Sequence, residues 1–189
     1  MDQATVLQLF RSSGALLEGH FKLSSGLHST GYLQCALVLQ HPAHAEALGR
    51  ALAPGLASLG ATAVLSPALG GLIIGHEVGR ALGIRALFAE RQDAVLTLRR
   101  GFHLDAADRV VVIEDVVTTG GSTRETMAVA RAAGAMVVGA GAIIDRSGGH
   151  QGLDVPFHAL VTLSLPTYSP ESCPLCAAGL PVTKPGSRK

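Results

Sequence analysis

The chain has 189 residues, enough for one domain, and is 48% hydrophobic but only 15% charged. That apolar composition excludes intrinsic disorder, and a net charge of +1 without a dense Lys/Arg cluster argues against binding through nucleic-acid phosphates. With 23 Gly and 9 Pro the chain is too rich in helix breakers for a helical bundle, and three Cys do not make a secreted disulfide framework.

Residues 2–13 read as a short amphipathic helix carrying Val6, Leu7, Leu9 and Phe10, with Gly14 to stop it. Phe21 to Leu33 alternates and is rich in Ser and Gly, which predicts irregular β structure. From Pro42 to Leu59 the apolar spacing is helical, with Pro42 suited to the first turn. Ala51 to Gly75 then runs 25 positions without a charge, the length of a membrane span. Pro54, Gly55, Gly60, Pro67, Gly70 and Gly71 interrupt it, so it divides into helix, turn, buried strand and loop. The opening Met1-Asp2-Gln3 lacks the basic start of a signal peptide, and a cytoplasmic globular protein is expected, with no membrane partner.

Strand and helix then alternate. Ala61–Ser66 is a strand, Pro67–Gly71 a loop, Leu72–Leu82 a helix and Ile84–Ala89 a strand. Arg109–Ile113 is a strand ending at Glu114-Asp115. Ser122–Ala133 is a helix with Ser122 as its cap, and Met136–Ile144 is a fourth strand. Short apolar strands between helices predict an α/β domain with a parallel sheet covered on both faces. Glu90 to Leu104 fits neither pattern; Val95–Leu98 can form a hairpin that projects over the strands' carboxyl ends as a lid. The tail from 166 to 189, with Pro166, Pro170, Pro174, Pro181 and Pro185, is expected to be irregular.

The most informative stretch is VVVIEDVVTTGGST, Val110 to Thr123. Four buried β-formers lead into two carboxylates, then two Thr, two Gly and a Ser that opens a helix. Gly120 and Gly121 let the backbone turn tightly around an anion, and the helix N-terminus adds partial positive charge and free N–H donors. Thr118, Thr119, Ser122 and Thr123 add hydroxyls, making a neutral cradle sized for one phosphate. Carboxylates repel phosphate, so Glu114 and Asp115 suit sugar hydroxyls, a metal ion or developing positive charge. Together these features describe a phosphorylated sugar. A P-loop would need Lys where Ser122 stands, the Gly139-Ala140-Gly141 run has Ile144 at the third fingerprint position, and a nucleophile elbow would need Gly at Arg124.

Residues 110–122 resemble the diphosphoribosyl-binding signature of the type I phosphoribosyltransferases. Further segments narrow the resemblance to the orotate phosphoribosyltransferase family. Phe21-Lys22-Leu23-Ser24-Ser25-Gly26, followed by Tyr32, is similar to that family's N-terminal F-x-L-x-S-G segment. Pro67-Ala68-Leu69-Gly70-Gly71 is similar to its diphosphate loop, and Asp145-Arg146 to its D-R pair. The resemblance implies an open, mainly parallel twisted sheet flanked by helices, with a small N-terminal hood and a projecting hairpin lid. As one domain over 1–189, it would divide into a hood at about 14–40, a core at about 42–165 and the tail.

The activity so implied is transfer of ribose 5-phosphate from phosphoribosyl diphosphate to orotate, with Mg²⁺ held mainly through substrate, giving orotidine 5'-monophosphate for pyrimidine synthesis. Glu114 and Asp115 would hold the ribose hydroxyls and favour an oxocarbenium-like transition state. The stretch Val116, Val117, Thr118, Thr119, Gly120, Gly121 and Ser122 would take the 5-phosphate, and Ala68, Leu69, Gly70 and Gly71 the diphosphate. Arg146 would grip the orotate carboxylate, with Thr118 and Ser24 beside it. Ser24 and Gly70 stand where many members of the family carry Lys, and the lid has no Lys. Arg91, Arg99, Arg100 and His103 are its available cations, with Arg91 the best placed to reach across a homodimer. A phosphoribosyltransferase for a purine, or a non-catalytic sensor of the diphosphate sugar, are the alternatives; Arg146 favours an acidic base over a purine.

Cys173-Pro174-Leu175-Cys176 stands apart from this chemistry. A single C-x-x-C supplies two ligands where structural zinc needs four, so Cys35, a His or the same pair from a second subunit would have to complete a site. A reduced, structural pair is the favoured reading. His41 and His44 read as a solvated helix face.

Overall fold

The computed structural model describes residues 1–23 and 25–185. Ser24, assigned above to orotate, lies outside the described residues.

Two sheets are present. The main one has six strands in the order β5-β4-β3-β6-β7-β8, formed by β3 (Ala63–Pro67), β4 (Arg85–Gln92), β5 (Val95–Leu98), β6 (Arg109–Val117), β7 (Met136–Asp145) and β8 (Phe157–Thr162). All pairs are parallel except β4–β5, an antiparallel hairpin at one edge. The alternation of β6 shows why both faces are covered. Val111 and Ile113 pack into a core with Val6 and Phe10 of α1 (Gln3–Ser12), Val38 of α2 (Ala36–Leu39), Leu48 of α3 (Pro42–Leu52) and Ile74 and Val78 of α4 (Gly70–Leu82). Val110 and Val112 face the other way, onto Met127 and Ala130 of α5 (Gly121–Ala132) and onto Leu96 and Leu104. Burying each such side chain contributes roughly 1.5–3 kcal/mol, which fixes β6 at the centre of the sheet.

From β3 the chain goes through α4 to β4 on one side; from β6 it goes through α5 to β7 on the other. The reversal falls between β3 and β6, and in open α/β sheets the ligand crevice opens at the carboxyl ends there. The β3–β6 ladder stops at Leu65↔Val112, so Glu114 and Asp115 stand just beyond the point where the two strands separate.

The second sheet is the hood, β1 (Leu16–Lys22), β2 (His28–Leu33) and β9 (Thr167–Tyr168), all antiparallel. Its third strand corrects the expectation of an irregular tail. Besides β9, the tail forms a short helix α6 (Pro174–Ala177), and Thr183 exchanges backbone hydrogen bonds with the hood, Lys22 N–H to Thr183 C=O and Thr183 N–H to His20 C=O, both 2.8 Å. Hood edge groups that would otherwise lack partners supply the structure its prolines seemed to forbid.

Three boundaries also move. The helix from Pro42 ends at Leu52, where Pro54 breaks it into short 3-10 turns. Strand β6 runs on past Asp115 to Val117 because β7 accompanies it to Asp145, so the two carboxylates lie inside a strand rather than at its end. Helix α5 starts at Gly121 with Gly120 as its cap, in place of Ser122. Strand β8 had no counterpart in the predicted elements.

Candidate active site

Glu114 and Asp115 open the site. Glu114 is only 6% exposed. Burial lifts its carboxyl from 4.5 to about 8, the neighbouring Asp115 charge adds to the rise, and the Ser122 hydroxyl opposes it. Asp115 is raised as well, chiefly by burial, against a hydrogen bond from its own neighbour's backbone, Val116 N–H to Asp115 Oδ1 at 2.9 Å. Beneath it lies the buried thiol of Cys35, itself pushed well up by burial and by the Asp115 charge. Cys35 therefore belongs to the floor under the carboxylates. Two acids both raised above their ordinary range prefer a partner that brings positive charge or hydrogen-bond donors.

The cradle follows immediately. Gly120 has φ of +72° and Gly121 opens α5, leaving the first N–H groups of that helix without intrahelical acceptors. Thr118, Thr119 and Ser122 are exposed around them, while Thr123 is buried. A Cβ at position 120 would run into the Gln151 carbonyl. Arg124 locks this turn from outside, its Nη1 donating to Thr119 C=O at 3.0 Å and to Gln151 C=O at 2.6 Å. That positioning role was not anticipated from the sequence, where Arg124 only excluded another motif.

The loop between β3 and α4 meets the carboxylates from the other side of the crevice. The Ala68–Leu69 peptide is cis, and Leu69 is 85% exposed. A Cβ on Gly70 would lie 2.8 Å from Asp115 Oδ1, and one on Gly71 2.7 Å from Ile113 C=O. Gly70 thus lies directly against Asp115, and the lack of room there explains why position 70 bears no side chain.

Arg146 follows β7, its backbone N–H donating to Val117 C=O at 2.7 Å. Its Nε is buried without a hydrogen-bond partner, and burial lowers its pKa, against a small opposing influence of Tyr32. It lines a cavity of about 890 Å³ together with Thr118, Thr119, Tyr32, Lys22, Ser147 and Lys184. Anion cradle and unpaired guanidinium therefore open into one space. Lys184 was missed by sequence reasoning because only the pairing of Thr183 with the hood brings the tail there. A second cavity, about 610 Å³ between Arg50, Pro54, Arg80 and Leu82, lies at the end of α4 remote from Gly70 and contains no carboxylate of the pair.

The hairpin β4–β5 projects past the carboxyl end of β3, since Pro67 pairs with Ala89 and residues 90–97 lie beyond. Its two-residue turn, Asp93-Ala94, has φ of +49° and +68°, the hand that suits a tight hairpin. Its cations are paired within the chain: Arg91 Nη2 donates to Glu125 at 2.6 Å, Arg100 Nη2 to Glu90 at 3.0 Å, and Arg99 lies 3.8 Å from Glu90. These exposed pairs contribute only about 0–1 kcal/mol each and are readily exchanged. His103 falls outside the hairpin. Its carbonyl accepts from Arg85 at 3.2 Å, and Arg85 is level with Ala63 at the amino end of β3. Within one chain it is remote from the crevice, a correction to its place among the lid cations. Among the described residues, no helix is long and apolar enough to cross a membrane.

No protein-family model matches the chain. Orotate phosphoribosyltransferase from Pelotomaculum thermopropionicum is 52% identical over 189 residues, covering all of both chains. The enzyme of that name from Carboxydothermus hydrogenoformans is 52% identical over 184 residues, covering 96% of each. Among solved structures, orotate phosphoribosyltransferase from Aeropyrum pernix superposes with a TM-score of 0.71 at 25% identity, covering 84% of this chain and 93% of its own. The Mycobacterium tuberculosis enzyme in complex with 5-phospho-alpha-D-ribosyl 1-diphosphate gives 0.68 at 22% identity over 86% and 97%, a likeness of fold. With full-length relatives this similar, and with an acidic strand, a glycine-threonine turn at a helix N-terminus and an unpaired guanidinium around one crevice, the chain belongs to the orotate phosphoribosyltransferase family.

Proposed function

We propose that the chain transfers ribose 5-phosphate from phosphoribosyl diphosphate to orotate, releasing diphosphate and orotidine 5'-monophosphate. The observation that carries this reading is Arg146, a half-buried cation whose buried Nε has no hydrogen-bond partner, opening into the same cavity as the Thr118–Thr119 end of the phosphate cradle. Two parallel hydrogen bonds from its guanidinium suit a planar carboxylate, which orotate has and purines lack. Lys22 and Lys184 line the same cavity and supply positive charge there.

In this reading Thr118–Ser122 hold the 5-phosphate through backbone N–H groups and hydroxyls, and Ala68–Gly71 present backbone to the diphosphate. The ribose 2- and 3-hydroxyls donate to Glu114 and Asp115, which favours their ionised forms and lowers the cost of their burial. As the bond to diphosphate lengthens, positive charge grows on the sugar beside two carboxylates already fixed in place. Closure of the hairpin excludes water, which would otherwise compete with orotate for that carbon. Mg²⁺ fits the donor chemistry, since Asp115 offers oxygen beside the loop that would carry the diphosphate, and this ion is usually held by one or two carboxylates plus substrate phosphates. Bound there, it would neutralise charge on the leaving group. We also assign the working form to a homodimer in which the exchangeable hairpin cations, Arg91 first, meet the partner's diphosphate.

The test is an assay with phosphoribosyl diphosphate, Mg²⁺ and a panel of bases. Loss of orotate absorbance supports the reading. Product from a purine alone, or ligand binding without turnover, refutes it.

A further inference from the structure

The C-x-x-C left over by the active site does not stand alone. Cys173 and Cys176 meet His20 of β1 and His28 of β2, and one ligand-type atom from each lies within 4.8 Å of every other. The individual separations are His20 Nε2 to His28 Nδ1 2.8 Å, Cys173 Sγ to His20 Nε2 3.6 Å, Cys176 Sγ to His20 Nε2 3.7 Å and Cys176 Sγ to His28 Nδ1 3.3 Å. A tetrahedron built on ordinary Zn–N and Zn–S bonds has N···N edges of about 3.3 Å and N···S edges of about 3.6 Å. Three of the four separations match within a few tenths of an ångström, and the two rings need part by only about half an ångström.

The four ligand-type atoms crowd together more closely than pairwise hydrogen bonding requires. His20 Nδ1 lies 2.9 Å from the Leu180 carbonyl, which can only accept, so Nδ1 carries the proton and Nε2 presents a bare lone pair. That one lone pair is approached at once by His28 Nδ1 and by both thiols. Cys176 Sγ also lies 3.3 Å from His28 Nδ1, so the four atoms converge on one point, and three of the four residues are buried. One cation at the centre uses all four atoms. The Leu180 carbonyl then does what an outer partner of a metal-bound histidine does, fixing tautomer and ring orientation.

We propose that His20, His28, Cys173 and Cys176 form a structural Zn²⁺ site. Binding replaces the two thiol protons, which leave to solvent, so the dication and two thiolates make a neutral unit suited to burial. Four protein ligands close the coordination sphere, leaving no position for substrate, and two nitrogens with two sulfurs select zinc over Mg²⁺. Cys176, the exposed member, is the route of entry. The site clamps the tail to the hood: its ligands come from β1, β2 and the α6 segment, and further along the tail Leu180 and then Thr183 also bond to the hood. Zinc thus fixes the segment that ends in the cavity-lining Lys184. The proposal stands on these four side chains and does not depend on which base the enzyme uses.

The test is metal analysis of the full chain purified under reducing conditions without chelator, with Zn²⁺ and then Co²⁺ restored to the stripped protein. About one zinc per chain is expected, with a cobalt spectrum showing thiolate charge transfer and the intense bands of tetrahedral coordination. Cys176→Ser and His28→Asn are expected to weaken zinc binding, measured against a chromophoric chelator, by at least about tenfold. The cobalt spectrum is read on the unaltered chain, so the result holds even where a variant fails to fold. No uptake of either metal by the reduced chain, half an equivalent shared between two chains, or a cobalt spectrum without thiolate bands would each overturn the assignment.

Discussion

Replacing Glu114 by Gln separates the cost of the acidic pair from its use. The folded protein holds the Glu114 carboxyl at about 8 against an ordinary 4.5, through burial first and Asp115 second. Between those two pH values the folded state keeps a proton that the unfolded chain has released. Stability therefore falls as pH rises from 4.5 to 8 and levels off above. The full difference would be at most about 5 kcal/mol, and a crevice open to water keeps less of it, about 2 kcal/mol. Glutamine has nearly the same shape and no charge to desolvate, so Glu114→Gln recovers that energy and also relieves Asp115. For a chain of this size the variant is expected to melt about 4–8 °C above the parent at pH 9 and within about 1 °C of it at pH 4.5. Thermal unfolding of the substrate-free proteins across that range is the assay. A pH-independent offset, or a parent more stable at pH 9, would refute the reasoning. Turnover should move the opposite way, falling about 10²–10³-fold in the variant, because the charge lost is the one set against the developing cation.

Arg146→Lys keeps the positive charge but loses the paired hydrogen bonds, so KM for orotate should rise about tenfold or more while KM for phosphoribosyl diphosphate changes little; equal changes in both would remove Arg146 from the base subsite. Deleting residues 92–102 should lower transfer far more than ground-state binding of the diphosphate sugar, measured calorimetrically, and equal losses would refute the lid. Gly120→Ala places a methyl group against the Gln151 carbonyl at a positive φ, and should weaken phosphoribosyl diphosphate binding together with stability by about 1–3 kcal/mol, read by calorimetry and thermal unfolding. Unaltered affinity would mean that the turn at 118–122 does not hold the phosphate.

The central sheet was legible because its strands are short apolar runs and its helices begin and end on Pro and Gly. Val110 to Thr123 gave the site for a stronger reason: acids, glycines and hydroxyls occur in one continuous stretch, so their proximity needs no tertiary information. Where the reading erred, neighbours decided. An acidic pair looks like the end of a strand, yet β7 runs alongside as far as Asp145 and supplies ladder partners to Val117. Ser122 looks like a helix cap, but a left-handed Gly120 turns the chain two residues earlier and leaves the exposed serine to bond Glu114. The tail was least legible. Its order comes from pairing with residues about 140–160 positions away, as in Ser29↔Thr167 and Phe21↔Thr183, and no local pattern encodes such partners. The same holds for His20 and His28, which carry no sign in the sequence that they meet Cys173 and Cys176.

The electrostatics of the crevice connect these observations. Glu114 and Asp115 are acids whose ionised forms burial disfavours, and a short way along the adjoining strand Arg146 is a cation that burial disfavours. They do not neutralise one another; among the described residues no ion pair joins them, and Arg146 Nε has no hydrogen-bond partner at all. A protein selected for stability alone would pair or remove such charges, since an uncompensated buried charge costs several kcal/mol. Keeping them apart makes sense if each awaits a different part of one reacting assembly, a sugar that becomes positive and a base that carries a carboxylate. The desolvation cost is met in the fold beforehand, so that binding relieves it at both ends of the new bond. The threonines and glycines at positions 118 to 121 add no side-chain charge to upset either one.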